Sequence, residues 1–109
     1  MHMALAIFEG VRYYIDTCSN AEQIAHLLDI HGGKRTARGT RKYASNATRV
    51  IVEPTRFEKC TRKMRKEDSR ALLVTPEWVY TSVKAGNKQP SQYYSPDPSM
   101  FFSSVVISA

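Results

Sequence analysis

The chain has 109 residues, 42% hydrophobic and 24% charged, which suits one globular domain with its own core and excludes a low-complexity chain. No apolar run is long enough to cross a bilayer, no segment has the pattern of a signal peptide, and two cysteines exclude a disulfide scaffold and favour a reducing compartment. Net charge is +6, but residues 34–70 carry 13 of the 16 basic and 4 of the 10 acidic residues, a local +9 against −3 elsewhere. Such a field attracts phosphate, acidic peptide or nucleic acid.

Met1-His2-Met3 reads as an expression remnant, and residues 1–6 as a leader outside the fold. Ile7-Phe8-Glu9-Gly10 is a short apolar lead-in with a turn glycine, and Val11–Ile15 has the β-branched and aromatic content of a first strand. Asp16–Asn20 is a polar loop, in which Ser19 or Asn20 can cap the next helix. Apolar residues at Ala21, Ile24, Ala25, Leu27, Leu28 and Ile30 predict an amphipathic helix ended abruptly by Gly32-Gly33. Lys34–Tyr43 is strongly basic with a weak strand signal, and Arg49–Val52, bounded by Pro54, suits a buried strand. Thr55–Arg70 has only Phe57, Cys60 and Met64 as apolar anchors and reads as a short helix or an ordered loop. Ala71–Val74 is a further strand.

Thr75–Gly86 has both helix ends marked. Thr75 stands as N-cap, Pro76 at the first position, Glu77 in the first turn, Lys84 in the last, and Gly86 as the left-handed stop. Trp78, Val79 and Val83 share one side with Tyr80 on the flank, and a helix this short must dock on something. Beyond it lie Tyr93-Tyr94, the Pro-rich 95–98 and an apolar end, Phe101-Phe102 and Val105-Val106-Ile107. That extension, 95–109, is expected to pack on the domain, on a partner or on a second copy. Strands alternating with helices predict a three-layer α/β fold: a small parallel sheet of about four strands flanked by helices.

Four pieces together resemble a BRCT domain, the interaction module of many DNA-damage-response, replication and repair proteins. They are the Ile7–Gly10 lead-in, the Gly32-Gly33 pair, Ala47-Thr48-Arg49-Val50-Ile51-Val52 with Arg49 in the family's His position, and Val74-Thr75-Pro76-Glu77-Trp78-Val79 followed by Ser82-Val83 and Ala85-Gly86. The resemblance runs over residues 7–94. It implies that Trp78 is a core residue, so Trp78→Ala should cost about 3–5 kcal/mol. The glycine pair lets the chain reverse from helix to strand without a Cβ clash.

The resemblance also implies a phosphoserine or phosphothreonine pocket, built in the family from a hydroxyl after the first strand, a neighbouring Gly N–H and a Lys on the second helix. Here Thr17 or Ser19 would supply the hydroxyl, and Lys63 or Arg62 the cation, within a cluster extending to Lys66. Cys18 stands where that pocket has Gly. The alternative is that Thr17 and Ser19 simply cap the first helix. Lys34, Arg35, Arg38, Arg41 and Lys42 form a second candidate surface, able to track a nucleic-acid backbone with strong salt dependence. Only Tyr43 is interleaved, so base stacking is poorly supported.

Catalysis is not expected. His26 and His31 point about 140° apart on one helix, Cys18 and Cys60 lack zinc-ligand spacing, and Gly32-Gly33 lacks the rest of a phosphate-binding loop. No cofactor or metal is anticipated. The expected function is a non-enzymatic interaction module from a larger nuclear genome-maintenance protein, with a protein or phosphopeptide partner. The alternatives are DNA binding through the basic surface and homodimerisation through the apolar tail. No membrane partner is expected.

Overall fold

The computed structural model describes residues 6–36, 46–67 and 69–95. The rest of the leader, Arg38, Arg41, Lys42 and Tyr43 of the basic stretch, and residues 96–109 of the extension lie outside the described residues. The elements are β1 (Arg12–Ile15), α1 (Ala21–Ile30), β2 (Lys34–Arg35), β3 (Arg49–Ile51), a 3-10 turn (Pro54–Arg56), α2 (Phe57–Glu67), β4 (Leu72–Val74), α3 (Pro76–Ala85) and a second 3-10 turn (Ser91–Tyr94).

The four strands form one parallel sheet in the order β2-β1-β3-β4, with Tyr13 opposite Arg49 and Ile51 opposite Val74. The chain moves outward from the centre twice, from β1 to β2 through α1 and from β3 to β4 through α2. Because the two crossovers run in opposite directions, right-handedness puts α1 and α2 on opposite faces. The strands alternate accordingly. Tyr13, Ile51 and Val74 face a core shared with Phe8, Ile24, Leu28, Trp78 and Val79 of the α1/α3 layer. Val50 and Val52 face Cys60 and Met64 of α2, with Tyr14 and Leu73 packed against them. The expected three-layer α/β architecture is the one observed.

The start of α3 differs in one detail from the sequence expectation. Thr75 holds the N-cap position with an extended backbone, but its side chain makes no capping bond; its carbonyl accepts the Trp78 N–H at 3.0 Å. At the other end Gly86, at φ +78°, donates its N–H to Ser82 and Val83 carbonyls, the left-handed stop anticipated from the sequence. Within α3, Ser82 is fully buried while Val83 is only partly so, and the Ser82 hydroxyl is satisfied by accepting the N–H of Gln89 at 3.0 Å. Trp78 is completely buried, 5.2 Å from the Phe8 ring, with its indole N–H donating to the Gln89 carbonyl at 2.8 Å.

Asn20 is the N-cap residue of α1, yet neither it nor Ser19 caps the helix with its side chain. The reversal after α1 turns on Gly32 at φ +93° and on Gly33, whose N–H bonds the Leu28 carbonyl at 2.8 Å. A Cβ at Gly33 would lie 2.9 Å from that same oxygen. The Thr55–Arg70 stretch resolves into the 54–56 turn and an eleven-residue helix. Cys60 and Met64, four apart, bury its apolar side, and Thr61 bonds back to the Phe57 carbonyl at 2.8 Å. The weak strand in the basic stretch is the two-residue β2.

Candidate functional site

β1 and β3 are neighbours whose crossovers leave in opposite directions, so a crevice opens beyond their carboxyl ends. Two loops meet there: Asp16–Asn20 after β1, and Val52–Glu53 with the 54–56 turn after β3. The Asp16 N–H and the Cys18 thiol both point to the Ile51 carbonyl, at 2.9 and 3.8 Å, which ties the first loop to the end of β3.

Charged groups fill the crevice. Asp16 is only 4% exposed and is held by Arg56, with Nε at 3.0 Å from Oδ2 and Nη2 at 3.4 Å from Oδ1. The Thr17 N–H also donates to Asp16 Oδ1, at 3.0 Å. Ser19 gives both its N–H and its hydroxyl to Glu53 Oε1, at 2.9 and 3.1 Å. The Asp16 carboxylate is thus paired with a guanidinium, and the Glu53 carboxylate is taken up by Ser19. Cys18 registers this field: burial first, then Glu53 and Asp16, push its thiol up to about 11. It is a buried thiol held in its neutral form at physiological pH.

Of the residues singled out in the sequence, Thr17 and Ser19 sit in this crevice, and Thr17 is exposed. Arg62, Lys63 and Lys66 are exposed further along α2, and Arg56, just ahead of the helix, pairs with Asp16 of the loop. Sequence reasoning missed Asp16, Glu53 and Arg56. The available signal was positional: each lies in the polar residues directly after a buried strand, where a switch-point crevice must form.

On α2 itself, Lys59, Arg62, Lys63 and Lys66 are all exposed at i, i+3, i+4 and i+7, opposite buried Cys60 and Met64. At the far edge of the sheet, Lys34 and Arg35 are exposed on β2, and Arg12 on β1 pairs in register with Lys34. Arg35 also lies 3.7 Å from Glu22. Gly32, Gly33 and Trp78 are structural, as described above. Among the described residues, no group of three or more His, Cys, Asp or Glu side chains could hold a metal ion. No helix there is long and apolar enough to cross a membrane.

No family model matches the sequence. The structure, however, is similar to the BRCT domain of human DNA repair protein REV1, at 26% identity and a TM-score of 0.62, covering 85% of this chain and 90% of that one. It is also similar to the C-terminal BRCT domain of human XRCC1, at 13% identity and a TM-score of 0.64, covering 86% and 95%. The chain is a BRCT-like domain. Fission yeast Fcp1, an RNA polymerase II CTD phosphatase, shows the same likeness at 16% identity and a TM-score of 0.63, but this chain covers only 26% of it.

Arg49, which the resemblance sets in the place of a His, packs on the α3 side of the sheet. Arg49 lies over the Trp78 ring, 5.6 Å from its centroid, and its Nε–H donates to Ser91 Oγ at 2.8 Å. Burial pulls its guanidinium below the usual arginine range. The preceding Thr48 ties β1 to β3, its hydroxyl accepting the Arg12 N–H at 3.0 Å and donating to the Arg12 carbonyl at 3.1 Å.

Proposed function

We propose that this BRCT-like domain is a non-enzymatic protein-interaction module of a nuclear genome-maintenance protein, and that it takes an acidic, phosphorylated segment of its partner along the exposed side of α2. The likeness to BRCT domains of REV1 and XRCC1 supports the setting. The observation that carries the partner chemistry is the stripe Lys59–Arg62–Lys63–Lys66, four cations within two turns on one helix face. A dianionic phosphate is steered by such a row and repelled by the Asp16–Glu53 pair, so its contacts shift from the loop toward the helix, with Thr17 at the boundary.

Titration of the labelled domain with a phosphoserine peptide pool tests this. Shifts centred on residues 59–66, absent with the unphosphorylated pool and weakened at least tenfold in a K59E/R62E/K66E variant, are expected. Binding that survives the triple variant unchanged would sink the α2 assignment.

A second reading rests on the opposite edge, where Arg12 and Lys34 stand exposed in register on one face of the sheet and Arg35, paired with Glu22, stands exposed on the other. Duplex DNA bound there would lose affinity steeply with salt, whereas a phosphopeptide contact on α2 would weaken gently.

A further inference from the structure

Between α2, β4 and the 91–94 turn lies an open cleft of about 750 Å³. Phe57, Met64, Leu72, Leu73 and Pro90 supply its apolar lining, and Ser95 stands on its rim. The size falls within the range of sites that bury a substantial ligand. Leu72, half exposed at 50%, lies on β4, which among the described residues is the outermost strand on that side of the sheet. An exposed leucine on an edge strand beside an apolar hollow is a liability that native chains cover.

The 91–94 turn packs beside β4, with the Thr75 N–H donating to the Tyr94 carbonyl at 2.9 Å, and Arg49 pins its first residue through Ser91. The last described residue, Ser95, itself lines the cleft. The residues that follow include Phe101, Phe102, Val105, Val106 and Ile107. From Ser95 to Phe101 is a reach of about 20 Å at full extension, enough to bring the phenylalanines back over β4. Charge agrees as well, since Asp97 is the only acid in residues 96–109 and Arg49 and Arg65 both line the cleft.

We infer that the cleft is the docking site of this chain's own C-terminal segment, with Phe101–Ile107 folded back over β4 and α2 within the same molecule. Tethering makes the contact intramolecular, at an effective concentration of roughly millimolar. A separate protein competing for the same cleft must overcome that. The inference concerns a different surface from the α2 cation stripe and stands independently of it.

The test uses the full chain with methyl-labelled leucines and ring-labelled phenylalanines. Nuclear Overhauser contacts from Phe101 or Phe102 to the Leu72 and Leu73 methyls are expected in a sample that sediments as a monomer. Leu72→Asp, at a half-exposed position, should abolish those contacts and leave the α1 resonances in place; F101S/F102S should shift the Leu72 and Leu73 methyls. Contacts found only between differently labelled molecules would assign the cleft to a second copy and overturn the inference. A monomer without the contacts would overturn it too, leaving the cleft to a separate partner.

Discussion

Glu53 Oε1 accepts both hydrogen bonds that Ser19 can donate, so a phosphate reaching the β1–α1 loop would have to displace a carboxylate and then sit beside Asp16. Glu53→Gln keeps an acceptor for Ser19 and removes the charge. Two effects are expected. The Cys18 thiol should titrate below about 11, because the Glu53 charge is the second cause of its upward shift after burial. The loop should also bind inorganic phosphate more tightly than in the parent chain, since a dianion no longer meets the second carboxylate. Carbon-13 shifts at Cys18 Cβ across pH, with a phosphate titration at neutral pH, read both. An unchanged Cys18 titration would mean that Glu53 does not set the field in the crevice. The loop stood as a phosphate candidate only through the family resemblance, which gives Thr17 or Ser19 the hydroxyl's place. Its actual partners were not legible, because Ser19 meets Glu53 across 34 residues and Asp16 meets Arg56 across 40. No spacing rule connects such positions until the parallel register of β1 and β3 is known.

Among the elements, α3 was readable because its signals are local: Pro76 at the start, Gly86 at the end and a buried Trp78 between them. α2 was readable only in part. Its exposed side is almost wholly charged, and its apolar side reduces to Cys60 and Met64, so periodicity could not separate a helix from an ordered loop. β2 is two residues long and exposed on both, with no apolar alternation to betray it. The α1–β2 junction offers the sharpest element-level prediction. In Gly33→Ala the new Cβ would meet the Leu28 carbonyl oxygen at 2.9 Å and the Leu28 Cβ at 3.4 Å. The backbone must shift to make room, and overpacking of this kind costs about 1–3 kcal/mol. Urea denaturation should show the midpoint falling with the slope unchanged. A variant as stable as the parent would show that the junction relaxes freely.

At the level of the whole molecule, the sheet divides two unequal interiors. Among the described residues, eleven buried ones pack between the sheet and the α1/α3 layer, whereas four, namely Val50, Val52, Cys60 and Met64, pack beneath α2. The candidate partner surfaces follow that division: the cation stripe and the apolar cleft both involve α2, and Arg12, Lys34 and Arg35 lie at the other edge.

The thinness of the smaller interior has a consequence in time rather than in space. A layer held by few apolar contacts opens at a lower free energy than the rest of a domain, and its amides exchange with solvent through that partial opening. Native-state hydrogen exchange should find residues 57–67 losing protection well before α1 and α3, with equal protection across the three helices as the contrary result. A partner bound along α2 would then be detectable without any change of shape, as a slowing of exchange in the helix expected to open first.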